Sequence, residues 1–380
     1  MSDPWQTPER KALRTLAKDL VAKQVAPHIA QWERDGELPR SLHTTFAESG
    51  LLGVAFPEEL GGGGGDAIDS AIISEEVILG GGSGGVVASL FTHGIALPHM
   101  VRNGTPYLHD RYVRPTLAGK LIGALAVTEP GGGSDVAGLR TRVVRDGGFY
   151  VVNGSKTFIT SGVRADFVTV AVRTGGVGHS GISLLIVDKG TPGFTVDRRL
   201  EKMGWLCSDT AELGFSDVRV PIENLVGAEG SGFVQIMQQF QAERLGLAVQ
   251  AYATAQRCVD LTIPWVKDRQ TFGRPLSSRQ VVRHRVAEMA RQAWVAKTAT
   301  RAAMAAWHQT GNAVLEVSMA KNTACAACDF VVDEAVQLHG GAGYLRDSEV
   351  ERHYRDSRIL RIGGGTDEIM NEVIAKLLPL

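Results

Sequence analysis

The periodicity of apolar residues changes twice along this chain, and each change removes most of the folds open to 380 residues. From about residue 7 to residue 117 the pattern is helical, with Leu13, Leu16, Leu20, Ala22 and Val25 approximating a 3.6-residue repeat. Glycine is costly inside a helix, so the tracts at 61–65 and 80–85 read as loops, the first a flexible surface loop. From about residue 121 to residue 226, short β-branched or aromatic runs take over. Residues 149–152, 167–172 and 182–187 read as strands, with hairpin-type turn signals at Asp146-Gly147-Gly148 and Asn153-Gly154. Helices do not alternate with these strands, which argues against a parallel βαβ sheet and for a small antiparallel barrel or sandwich. From about Gly232 the helical period returns. Residues 281–307 and 313–339 are long, alanine-rich and poor in breakers, the pattern of an antiparallel bundle. Pro264 falls inside one such helix and predicts a kink or break there.

A chain of this length exceeds the usual single core, so two or three domains are expected. The three textures divide it at 1–120, 121–228 and 229–380. Forty basic against forty-one acidic side chains leave a net charge of −1, which supplies no basic field for nucleic acid. No stretch of about 18 apolar residues could span a bilayer, and the polar start, with Pro4 and Pro8, lacks a secretory apolar run. Arginine-rich, glycine-rich composition suggests a GC-rich bacterial chain, hence a cytoplasmic protein. Four cysteines make no disulfide framework, and the lone Cys325/Cys328 pair lacks the second half of a zinc site. No metal is expected. There is no P-loop, and no dinucleotide-binding glycine fingerprint follows a strand.

One glycine-rich stretch carries more. In Val127-Thr-Glu-Pro-Gly-Gly-Gly-Ser-Asp135 a strand-like run ends, proline turns the chain, and three glycines let backbone approach a planar polar ligand closely. Together with Asn153-Gly-Ser-Lys-Thr-Phe-Ile-Thr160, Glu201-Lys-Met-Gly-Trp205, Ser208-Asp-Thr-Ala-Glu212, Asp268-Arg-Gln-Thr-Phe-Gly-Arg274, Gln337-Leu-His-Gly-Gly-Ala-Gly343 and Gly364-Gly-Thr-Asp-Glu-Ile369, it resembles the acyl-CoA dehydrogenase family over nearly the whole chain. The resemblance implies an α+β multidomain fold: an N-terminal α-helical domain, a middle antiparallel β-barrel-like domain and a C-terminal four-helix bundle. It also implies FAD in a cleft between the β domain and the C-terminal helices. Leu125, Val127, Thr128, Gly133 and Ser134 match the loop along the flavin, and Phe158 and Thr160 match positions covering its ring system. Thr366 and Glu368 belong to the same expected set. Arg269, Thr271, Phe272, Gln280, Gln337 and Gly341 match residues that reach the FAD of a neighbouring subunit, which implies a homotetramer.

The family's catalytic glutamate commonly lies in a C-terminal Tyr-Glu-Gly-Thr motif, where this chain has Gly363-Gly364-Gly365-Thr366. A glycine takes no proton. In the long-chain and isovaleryl branches, however, the base precedes an arginine at the start of a bundle helix, and this chain has Glu243-Arg244 there. The resemblance therefore implies that Glu243 removes the α-proton of an acyl thioester. A β-hydride passes to the flavin, and electrons go on to an electron-transferring flavoprotein. The backbone N–H of Gly364 would survive as an oxyanion donor. Ser134, Gln241, Arg244, Gly364 and Gly365 match positions near the substrate, although Gln241 replaces an aspartate seen in several relatives. Two alternatives stay open: an acyl group tethered to a carrier protein instead of CoA, and an oxygen-using flavoenzyme, either an acyl-CoA oxidase or a flavin monooxygenase.

Overall fold

The computed structural model describes residues 3–379. Its first block is helical: α1 (Pro8–Gln24), α2 (Ile29–Asp35), α3 (Arg40–Glu48), α4 (Ala67–Leu79), α5 (Gly84–Leu90), α6 (His93–Ala96), α7 (Pro98–Asn103), α8 (Pro106–Leu108) and α9 (Arg114–Leu117). Helix starts follow local chemistry. Thr7 accepts from the Arg10 N–H ahead of Pro8, and Asp66 and Asp69 cap α4 reciprocally. On α1 the buried stripe is Ala17, Val21 and Val25, flanked by part-buried Leu13 and Leu20. Leu16 and Ala22, counted in the sequence repeat, face solvent instead.

Residues 61–65 and 80–83 are loops as expected, with two departures in detail. The 61–65 tract is not a flexible loop but is laced to the preceding turn: the N–H groups of Gly62, Gly63, Gly64 and Gly65 donate to the carbonyls of Pro57, Gly53, Phe56 and Val54 at 2.8–3.0 Å. A Cβ on Gly62 would sit 2.2 Å from the Phe56 carbonyl oxygen, so only glycine permits the approach. Gly84 and Gly85 form the first turn of α5, capped by Ser83, and are not a loop. They are bare because the 205–207 segment presses on them, with Trp205 Nε1 2.6 Å from the place a Gly84 Cβ would take.

The middle block is a curled seven-stranded sheet: β1 (Gly123–Ala126), β2 (Arg142–Asp146), β3 (Phe149–Thr160), β4 (Phe167–Arg173), β5 (Ile182–Asp188), β6 (Phe194–Arg199) and β7 (Thr210–Pro221). The sequence located β3, β4 and β5. The strand-like run leading to Thr128 corresponds to β1, whereas β2, β6 and β7, charged or exposed along one edge, were passed over. Four pairings are antiparallel, but β1 runs parallel to β4 and β2 touches β4 in parallel. The chain enters β1 from the helices and returns to its side only after the β2–β3 hairpin. Asp146-Gly147-Gly148 makes that hairpin turn. Asn153-Gly154 does not turn the chain; it lies in a bulge of β3, fixed by a reciprocal bond pair between Asn153 and Asp217.

The last block holds α10 (Gly232–Asp268), a small β8 (Gln270–Thr271) and β9 (Arg274–Pro275) hairpin, then α11 (Gln280–Thr310), α12 (Val314–His339), α13 (Glu349–Ser357) and α14 (Asp367–Leu377). Helices α10, α11, α12 and α14 form the bundle, with small buried residues such as Ala248, Ala293, Ala296 and Ala324 at the contacts. Helix α10 runs unbroken through Pro264. The missing N–H lies only one turn from the helix end, where Trp265 is held by its indole bond to the Leu338 carbonyl at 3.1 Å. Cys325 and Cys328 are free and buried, and burial pushes both thiols well above their usual range. Among the described residues no group of acidic, cysteine or histidine side chains is arranged to hold a metal, and no single helix is long and apolar enough to cross a membrane.

A buried ion pair anchors the glycine-rich loop to this frame. Lys156, fully buried on β3, donates to Glu129 at 2.8 Å and to the Val127 carbonyl at 3.0 Å. Glu129 also accepts the N–H groups of Arg140 and Thr141 at 2.6 and 2.9 Å. Removing one partner strands a buried charge, so Lys156→Met is expected to cost about 3 kcal/mol or more in chemical denaturation. Adding Glu129→Gln to the same chain should recover part of that loss.

Candidate active site

One cavity of about 1270 Å³ opens where the three blocks meet. Helix α10 supplies its floor. Glu243, Leu247 and Gln250 stand at i, i+4 and i+7 on one face and all line it. Glu243 is part-exposed to the cavity, and its carboxylate takes no hydrogen bond among the described residues. Burial pushes this carboxyl above the usual range, opposed by the positive charges of Arg244 and Lys321.

Those two cations also shape the facing wall. Arg244 Nε donates to the Gly364 carbonyl at 3.0 Å, and Lys321 Nζ to the Gly365 carbonyl at 2.6 Å. Both glycines have left-handed φ values, 65° and 104°, which the tight turn before α14 requires. The N–H of Gly364 meets no protein acceptor among the described residues. A Cβ placed on Gly364 would stand 3.7 Å from Glu243 Oε1 and 2.8 Å from Leu247 Cδ1. The carboxylate on α10 thus occupies the space that a side chain at position 364 would reach into.

The opposite wall comes from the β block. Leu125, Val127, Thr128, Gly133 and Ser134 line it, as do Phe158 and Thr160 of β3. Phe158 adopts φ 60° at an irregularity of the β3–β7 pairing, an unfavourable conformation for a bulky residue, and its ring stays 68% exposed. Strain of this kind is retained where the surroundings impose it, and here it turns an aromatic face to the cavity. The hydroxyls of Thr128, Ser134 and Thr160 take no hydrogen bond among the described residues. An apolar slot with an exposed aromatic face, unpaired hydroxyls and an unobstructed glycine turn at Gly131 and Gly132 fits a planar ligand with a polar edge, as FAD is.

Other expected site residues fall elsewhere. Gln241, expected near the substrate, is outside the cavity: it is buried, and its Oε1 accepts the Ala313 N–H at 2.9 Å beside the start of α12. Two steps along a helix turn a side chain by about 200°, which puts Gln241 on the face away from Glu243. Thr366 lines the cavity and caps α14, whereas Glu368 is exposed on the first turn of α14 and does not line it. Arg269, Thr271, Phe272, Gln280, Gln337 and Gly341 also lie outside this chain's cavity. All but half-buried Thr271 are exposed, Phe272 at 94%. Trp265, stacked on His339 and bonded to Leu338, brings the ends of α10 and α12 together, so Arg269 and the 337–341 segment share one end of the bundle.

Sequence reasoning missed Lys321 and Leu247. Lys321 was detectable as the one charge on the buried Val317, Ala320, Ala324 face of an alanine-rich helix. Leu247 carried no signal beyond its spacing from Glu243.

The chain matches the family signatures described as acyl-CoA dehydrogenase N-terminal domain over residues 7–120, middle domain over 124–218 and C-terminal domain over 230–378. It is 37% identical to the mitochondrial long-chain specific acyl-CoA dehydrogenase of Mus musculus over 376 residues, 97% of this chain and 86% of that one. It is 35% identical to a subunit of the caffeyl-CoA reductase–Etf complex of Acetobacterium woodii, covering 97% of this chain and 98% of the relative. A crystal structure of a probable acyl-CoA dehydrogenase from Mycobacterium abscessus superposes with a TM-score of 0.97 at 68% identity, covering 98% of this chain and 99% of that one. The chain belongs to the acyl-CoA dehydrogenase family of FAD-dependent oxidoreductases.

Proposed function

We propose that this enzyme desaturates an acyl-CoA thioester between its α and β carbons, with Glu243 as the base. The observation that carries the reading is the 3.7 Å between Glu243 Oε1 and the Cβ position of Gly364, which puts the α10 carboxylate where a side chain at 364 would act. Glu243 takes the α-proton, a step typically accelerated about 10²–10⁴-fold by a positioned base. Charge developing on the thioester oxygen is met by the free N–H of Gly364, an oxyanion donor held in place by Arg244 and Lys321 on the adjoining carbonyls. Ser134 and Gly365 sit beside the thioester. FAD, when bound, supplies the two-electron acceptor for the β-hydrogen. Leu125, Val127, Thr128, Gly133, Phe158, Thr160 and Thr366 hold it within the chain.

Arg269, Thr271, Phe272, Gln280, Gln337 and Gly341 serve the FAD of a neighbouring subunit in a homotetramer. Support comes from their common end of the bundle, outside their own cavity, and from the exposed apolar side chains there and nearby, Phe272 at 94% and Tyr344 at 83%. The three sequence blocks, 1–120, 121–228 and 229–380, act as the structural units that close the site. Electrons leave to an electron-transferring flavoprotein in the cytoplasm, an acceptor supported by the Acetobacterium woodii relative's place in an Etf complex.

Anaerobic mixing with short, medium, long and branched acyl-CoAs tests the reaction. The flavin of the wild type is expected to bleach, and Glu243→Gln to bind the same esters with bleaching lost by at least about 10²-fold. Equal bleaching by both proteins overturns the assignment of the base. No bleaching with any ester points to a carrier-protein substrate or to oxygen chemistry.

The pH profile supplies a second test. A base acts when deprotonated, so kcat/KM should climb with pH through a break above the ordinary carboxylate range, because burial raises Glu243. Lys321→Met removes an opposing positive charge and should move that break further up. The same sign governs folding: protonated Glu243 is favoured by burial, and that contribution is lost as pH rises through its raised pKa. Glu243→Gln should therefore raise the neutral-pH melting temperature of the flavin-free protein.

For assembly, Phe272→Asp is expected to shift light-scattering mass below that of a tetramer and to lower the flavin-to-protein ratio together. Loss of either property alone would separate FAD retention from subunit contact.

A further inference from the structure

Lys202 lies on the loop between β6 and β7 and lines the cavity, as Trp205 does. Its ammonium donates to the Ser208 carbonyl and, at 3.0 Å, to Thr210 Oγ1. A lysine has three N–H donors, and the third meets no acceptor among the described residues. Nor does a carboxylate pair with it there. Lys156 of β3 has Glu129 at 2.8 Å, whereas Asp209, the strongest acidic influence on Lys202, accepts the Val163 N–H at 2.7 Å and lies 3.7 Å from Arg164. Burial pushes the Lys202 pKa down, the mark of a cation short of compensation.

Thr210 passes the influence of that cation to the cavity. A lysine cannot accept a hydrogen bond, so Thr210 Oγ1 accepts and its own O–H is left to donate elsewhere. That O–H meets no acceptor among the described residues, and Thr210 lines the cavity. Directly opposite it in the β3–β7 pairing stands Thr160, on the same face of the sheet and also on the cavity. Side chains so opposed have Cβ atoms about 5 Å apart. The wall assigned above to the flavin, Phe158 and Thr160, therefore has an unpaired cation one hydroxyl behind it, and that cation holds the hydroxyl as a donor.

Desaturation as proposed gives such a cation something to do. The α-hydrogen of the substrate leaves as a proton to Glu243. The β-hydrogen leaves as a hydride, two electrons with one proton, so the ring system gains one unit of negative charge. In a partly desolvated wall an ammonium acts on that charge far more strongly than it would in water. We propose that Lys202 is a positioning residue that favours the reduced flavin, through its own unpaired charge and through the Thr210 hydroxyl it orients. This rests on the placement of the ring against Phe158 and Thr160.

The bond to the Ser208 carbonyl also closes the loop, so the experiment has to separate charge from shape. It measures the two-electron reduction potential of the FAD-loaded protein by spectroelectrochemistry in the wild type, Lys202→Gln, Lys202→Arg and Thr210→Val. Glutamine keeps donors without charge, arginine keeps the charge, and valine keeps the strand while removing the hydroxyl. At a fixed potential the reduced-to-oxidised ratio is expected to fall at least about tenfold in Lys202→Gln, a shift of about 30 mV for a two-electron couple. The ratio should fall in Thr210→Val as well, and Lys202→Arg should recover most of the loss. Equal shifts in Lys202→Gln and Lys202→Arg overturn the proposal, as does a wild-type potential in Lys202→Gln or in Thr210→Val. If Lys202→Gln fails to hold flavin, Thr210→Val decides the matter alone. Phe158→Leu is run beside them: unchanged visible circular dichroism of its bound flavin would put the ring elsewhere and overturn that placement, which is a distinct result.

Discussion

Two buried cations hold the facing walls of the cavity in register. Lys321 is fully buried and Arg244 nearly so, and burial lowers the pKa of both. They meet the cost of desolvation by gripping the Gly364 and Gly365 carbonyls and by facing Glu243. Each grip does double service. It fixes a turn whose two left-handed glycines have no side chains to pack, and it opposes the upward push that burial gives the Glu243 carboxyl. A turn held only by its own backbone would let the Gly364 N–H drift relative to the Glu243 carboxylate, and the mechanism proposed above is sensitive to displacements of that size.

The same logic of buried polar contacts runs across the junction of the three blocks. The loop after β6 is pinned from both sides: the Trp205 N–H donates to Asp356 of α13 at 2.5 Å, and the Cys207 N–H to Glu33 of α2 at 3.1 Å. Burial and the neighbouring Glu33 raise Asp356 to about 6, so this junction holds a proton more tightly than surface carboxylates do. Trp205 accepts φ 52° to put its indole against α5 and the cavity wall. Strain at Phe158 and at Trp205 thus falls on the cavity in both cases.

Much of this was legible in the sequence where a residue's role depends on its neighbours along the chain. The Glu243–Arg244 pair and Gly364 do meet on the cavity, and β4 and β5 declared themselves by nearly continuous apolar runs. Legibility failed where distant segments decide. The 61–65 glycines look floppy until the carbonyls of residues 53–57 appear beside them, and Asn153-Gly154 looks like a turn until Asp217 is seen to receive it. Gln241 illustrates a different limit. Adjacent to site residues in sequence, it points to another partner because helical geometry separates neighbours more than it separates residues four apart.

The turn at Gly364 also constrains how such an enzyme could change over generations. A glutamate there would have to adopt a left-handed backbone, displace Leu247, and bring a second carboxylate near Glu243. Two carboxylates that close do not both ionise, so one would hold the proton that the base must lose. Under the proposed mechanism, a lineage moving its base between α10 and this turn therefore meets a valley whichever residue changes first: an intermediate with two competing acids or an intermediate with none. The two arrangements are alternatives separated by unfavourable single steps, and each substitution's effect depends on whether the other has already occurred.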